Sequence, residues 1–147
     1  MEPLSALGVA TAVVQFLDFT GKVVAGTYQI HTARSGAGTT IQDVTASLTR
    51  VNNEIRMTLS CPTPQTLSAH EQDILLLGKK CDDIGDRLLT TLLKIERSSK
   101  TRSNPTVFSS FKTALLTVWK QPEIDTLCRT LENHRSQISL LILASLR

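Results

Sequence analysis

From residue 3 to residue 17 this chain carries no charged side chain, and the first to break the run is Asp18. A run this apolar constrains the fold more than any other feature here. It falls short of the roughly 18 to 20 residues that a spanning helix needs, so it reads either as a helix at the centre of a bundle or as an interfacial segment. Pro3 suits the first turn of a helix, where its missing N–H would be unpaired anyway. Leu4, Leu7, Val13, Val14, Leu17, Val24 and Tyr28 form an apolar stripe, and Val9, Ala12, Phe16, Phe19, Val23 and Ile30 widen it almost all round. The helix is predicted over residues 3 to about 33. Gly8, Gly21 and Gly26 each cost it about 1 kcal/mol relative to Ala, so packing must hold it straight or it bends.

The remaining pattern is helical throughout. A turn at Ser35, Gly36, Ala37 and Gly38 precedes Thr39 and Gln42, spaced as a capping box, and Ile41, Val44, Leu48, Val51 and Ile55 then step by threes and fours. Cys61, Pro62 and Pro64 end this second helix. Ser68 and Glu71 form another capping box, after which Ile74, Leu77, Cys81, Ile84, Leu88, Leu92 and Ile95 mark a third helix, expected to be the longest after the first. Residues 98–104 are polar and basic and read as a loop, with Asn104 and Pro105 opening a fourth helix on Phe108, Phe111, Leu115 and Val118 or Trp119. Pro122 opens a fifth through Ile124, Leu127, Leu131, Ile138, Leu141 and Ile142. No alternating strand pattern of useful length occurs. The expected architecture is a single all-α domain over residues 1–147, an antiparallel bundle of four long helices with a shorter fifth.

Chemistry-bearing patterns are sparse. His31, His70 and His134 fall on different segments, none spaced with Cys or carboxylates as metal ligands are, so no metal or cofactor is expected. Asp82, Asp83 and Asp86 read as a solvated helix face, with Asp83 and Arg87 four apart as an ion pair. Gly36 and Gly38 lack the lysine and the preceding strand of a phosphate loop, and no nucleophile elbow is present, so an enzyme is not expected. A net charge of +3, with basic residues scattered among acidic ones, gives no nucleic-acid footprint. Cys61, Cys81 and Cys128 are odd in number and form no CxxC, which points to a reducing, cytoplasmic setting. The chain opens Met1, Glu2 and Pro3, without the basic start of a signal peptide. Lys94, Arg97, Lys100 and Arg102, diluted by Glu96, could meet anionic lipid headgroups or simply be a solvated loop.

The opening MEPLSALGVATAVVQFLDFTGKVV resembles the start of the fungal amino-terminal domains that precede NACHT modules in STAND (NOD-like) receptors, with a similar pattern in HeLo-like cell-death domains. It matches at Pro3, Leu4, Ser5, Ala6, Leu7, Gly8, Val9, Ala10, Val14, Gln15, Phe16 and Gly21. The closing segment, FSSFKTALLTVWKQPEIDTLCRTLENHRSQISLLILASLR, looks like that family's ending at Phe111, Lys112, Ala114, Leu115, Trp119, Ile124, Leu127, Leu131, Arg135, Gln137 and Leu140. Residues 55–72, with two prolines, depart from the pattern. The resemblance implies a domain excised from a larger receptor, self-associating, followed by a downstream NACHT module, and triggering regulated cell death. It implies also that the first helix is released on oligomerisation to engage the plasma membrane, with Leu4, Leu7, Val9, Val13, Val14, Phe16 and Leu17 as the inserting surface. A soluble adaptor that pairs only with copies of itself or a partner helix is the competing expectation, in which those residues are permanent core.

Overall fold

The computed structural model describes residues 3–25, 41–60, 67–101 and 111–146, and all of its regular structure is helical. Its elements are α1 (Pro3–Val24), α2 (Ile41–Leu59), α3 (Ala69–Thr101), α4 (Phe111–Leu115) and α5 (Gln121–Ser145). Among the described residues the architecture is thus an all-α bundle of four long helices and one short one. The short helix falls fourth in the chain. Among the described residues α3 is the longest, at 33 residues against 22 for α1; the expected continuation of α1 over residues 26–33 lies outside them.

Helix starts follow the local chemistry where they are described. Ser68 and Glu71 close the capping box on α3: the Glu71 N–H donates to Ser68 Oγ at 3.1 Å, and the Ser68 N–H donates to Glu71 Oε1 at 3.2 Å. Thr39, the other proposed cap, lies outside the described residues. Its partner Gln42 is committed elsewhere, donating from Nε2 to Glu96 Oε1 on α3 at 3.1 Å. Pro122 sits in the first turn of α5, and Lys120 at the N-cap supplies no side-chain bond. Residues 98–101, expected to be loop, continue α3 as helix. No glycine or proline interrupts them, so nothing in the backbone stops the helix there.

Three contact pairs fix the directions of the helices. Val9 packs on Gly78 and Phe16 on Gly85, seven residues later on both helices, so α1 and α3 run parallel. Thr58 lies over Gly8 while Asn52 lies against Gly85, so α2 runs opposite to both. Ala25 and Gly21 face Cys128, and Leu7 faces Ser145 and Leu146, so α5 runs opposite to α1. The order is up, down, up, down, as short-loop bundles favour.

The core is the one the periodicity marks. Val44, Leu48, Val51 and Ile55 of α2 are buried, as are Ile74, Leu77, Cys81, Leu88, Leu92 and Ile95 of α3 and Ile124, Leu127, Leu131, Ile138 and Leu141 of α5. Ile84 and Ile142 are partly buried against them. On α3 the inward positions 74, 78, 81, 85, 88, 92 and 95 keep a four-three step, the heptad seam of knobs-into-holes packing.

The α4 region departs from expectation. The expected start at Asn104 and Pro105 lies outside the described residues; among those described, five are helical, and the chain then tightens through bonds from the Val118 and Trp119 N–H groups to the Leu115 carbonyl. Leu115 and Trp119 are buried, whereas Val118 points outward. The Arg87 guanidinium stacks over the Trp119 ring, 5.1 Å from its centroid, and so leaves the ion pair with Asp83 that the spacing suggests. Native Trp119 fluorescence is therefore expected to be blue-shifted and to move red on unfolding, and emission of a fully solvated indole in the folded domain would contradict this packing.

Candidate functional site

The candidate site is α1 together with the elements that cover it. Its inward face takes in Ala6, Val9, Ala10, Ala12, Val13, Phe16, Leu17, Thr20, Val23 and Val24, all buried. α2, α3, α4 and α5 all pack on it. A helix with neighbours on so many sides must be apolar around most of its circumference, which accounts for the width of the apolar pattern.

What remains outside is a narrow stripe: Leu7, Thr11, Val14, Gln15, Asp18, Lys22 and Ala25. Asp18 and Lys22 pair along it at 3.2 Å, and Arg135 of α5 comes within 3.9 Å of Asp18. The residues expected to form one inserting surface are therefore divided. Val9, Val13, Phe16 and Leu17 are core, Leu7 and Val14 are 43% and 42% exposed, and the Leu4 side chain lies outside the described residues. Leu7 and Val14, expected on the main apolar stripe, instead lie on the outward side, because the bundle packs on the opposite side of α1 more fully.

Between α1 and α5 run two shallow clefts of about 330 and 350 Å³ that share Leu17, Asp18 and Arg135. The first is floored by Gly21 and Cys128, and a Cβ added at Gly21 would meet nothing within 4 Å. Burial raises the thiol pKa of Cys128, and that of Cys81 reaches about 12, so both are held as protonated thiols at neutral pH. His134 is shifted below its usual range by burial and then by Lys80, leaving it neutral there. Among the described residues no three His, Cys, Asp or Glu side chains converge as metal ligands.

The basic set is not gathered into a loop. Lys94 and Arg97 are exposed on the last turns of α3, Lys100 belongs to the same helix with its side chain outside the described residues, and Arg102 lies outside them altogether. A polar feature that spacing did not reveal joins α2 to α3. Arg56 donates from Nε to Asp82 at 2.8 Å and from a terminal nitrogen to Asp86, which also accepts from Asn52 Nδ2 at 3.4 Å. Asp82 and Asp86 are one turn apart, the only trace of this clamp in the sequence; its partner is 26 residues away.

Exposed leucines form the other notable surface. Leu140 and Leu143 on α5 and Leu146 just beyond it are mostly solvent-exposed, near the end of the bundle where Leu7 also emerges. No family model, no curated protein and no solved structure matches this chain.

Proposed function

We propose that this chain is a non-enzymatic signalling domain of the kind its two ends resemble: the amino-terminal effector of a fungal NOD-like receptor, cytoplasmic at rest. In this reading the copies are brought together by a downstream NACHT module, and α1 is then delivered to the plasma membrane to trigger regulated cell death. The observation that carries it is α1 itself. Residues Ala6–Val24 make a helix of 19 residues that is long and apolar enough to cross a bilayer, half of it buried in the bundle. At about 1.5 Å per residue it spans roughly the 30 Å of a hydrocarbon core.

The same burial sets the condition for activity. Val9, Val13 and Phe16 cannot meet lipid while α1 is packed, so release must accompany assembly. Lys94 and Arg97 would then add headgroup contacts worth about 1 kcal/mol each near an anionic surface. The adaptor reading draws support from a different observation: the exposed stripe of α1 carries the Asp18–Lys22 pair, which a membrane-facing helix must desolvate.

A charge tests the two readings only if it spares the fold. Val9 and Ala12 are unsuitable, since both are buried in the core and a glutamate there would unfold the bundle. Val14 is the right position, because it is exposed and near the middle of the 19-residue span. An Asp at the centre of an inserting helix costs about 2.5 to 3.5 kcal/mol. Val14→Asp is expected to keep the helical circular dichroism and thermal midpoint of the parent while abolishing flotation of forced oligomers with anionic vesicles. If forced oligomers of the unmutated domain stay in solution at neutral pH, the membrane reading falls and partner recruitment replaces it.

A further inference from the structure

Two buried polar atoms among the described residues have no hydrogen-bond partner, Thr20 Oγ1 and Asn52 Oδ1, and both lie where α1 is held. Thr20 is fully buried on α1, one turn beyond Phe16 on the same face. Asn52 Oδ1 would sit 2.4 Å from a Cβ on Gly85, the glycine against which the Phe16 ring also packs. The contrast with neighbouring threonines is sharp. Thr11, Thr49, Thr58, Thr90, Thr91, Thr117 and Thr126 all donate their hydroxyls to a backbone carbonyl three or four residues back. Thr91 is also buried, though less completely than Thr20, and makes its bond, to the Arg87 carbonyl at 2.9 Å.

An orphaned buried hydroxyl forfeits its water without compensation, whereas a methyl of the same shape would forfeit nothing. We propose that Thr20 and Asn52 are a built-in weakness that eases α1 out of the bundle, so that water satisfies both groups only when the helix leaves. The opening step belongs to the bundle itself; its use in signalling rests on the release of α1 proposed above.

The test is isosteric replacement in the whole chain, with amide hydrogen exchange of α1 as the readout. Thr20→Val is expected to slow exchange across α1 by roughly tenfold and to raise Tm by a few degrees. Thr91→Val is the control: it removes a hydroxyl that is already bonded, so α1 exchange should not slow. Flotation of forced oligomers with vesicles of zwitterionic and anionic phospholipid should fall several-fold in Thr20→Val. Unchanged or faster α1 exchange in Thr20→Val, or equal slowing in Thr91→Val, overturns the proposal. Slowed exchange in a domain whose parent never binds vesicles leaves the weak point standing and removes only the membrane reading.

Discussion

Phe16→Ala is expected to cost the domain about 3 to 5 kcal/mol, a large share of the roughly 5 to 15 kcal/mol that holds an ordinary domain folded. The Phe16 ring is fully buried at the junction of α1, α2 and α3, where it reaches within 3.1 Å of the Cβ position of Gly85. Removing it leaves a cavity between three helices that cannot all move inward, because Gly78 and Gly85 already bring α3 close to α1. Leu88→Ala and Leu131→Ala should cost about 2 to 5 kcal/mol by the same mechanism, since both side chains are buried in helical seams. Urea unfolding followed by circular dichroism measures all three. A loss below about 1 kcal/mol for Phe16→Ala would mean that α1 is not the central helix of the folded domain.

The helical seams were legible in the sequence because a stripe buried on one side repeats every three to four residues, and α2, α3 and α5 are buried on one side. Val44, Leu48, Ile55, Leu88, Leu92 and Leu131 follow directly from that rule. α1 was harder. Its apolar residues lie at almost every angle, so no phase is preferred, and Val9 and Val14 look alike until neighbours are placed around them. The α4 segment misled for the opposite reason: Leu115, Val118 and Trp119 keep a helical step although the chain tightens after Leu115. Arg56 could not be paired with Asp82 and Asp86 from spacing, because the partners are joined only by the α2–α3 packing. Nor does a sequence reveal that Thr20 lacks a partner, since other threonines in the same local setting bond to their own helix.

The glycines of α3 carry the second large prediction. Glycine in mid-helix costs about 1 kcal/mol relative to Ala, so its presence at 78 and 85 calls for a gain elsewhere. The gain is close approach. A Cβ at Gly85 would stand 2.4 Å from Asn52 Oδ1 and 3.1 Å from the Phe16 ring. Neither neighbour can swing away: Phe16 is enclosed, and Asn52 is buried and tied through Nδ2 to Asp86. Gly85→Val is therefore expected to destabilise the bundle by about 3 kcal/mol, the upper part of the range for overpacking a filled interior. Gly21 provides the opposite case, because a Cβ there meets nothing within 4 Å. Gly21→Ala should stabilise by about 0.5 to 1 kcal/mol through helix propensity alone. Asn52→Ala, by clearing the nearest atom, should recover part of the loss when combined with Gly85→Val, and a double-mutant cycle in urea gives the coupling. If Gly85→Val and Gly21→Ala shift stability alike, the tight contact of α3 with α1 and α2 is not present in solution, and the parallel register of Val9 on Gly78 and Phe16 on Gly85 must be abandoned with it.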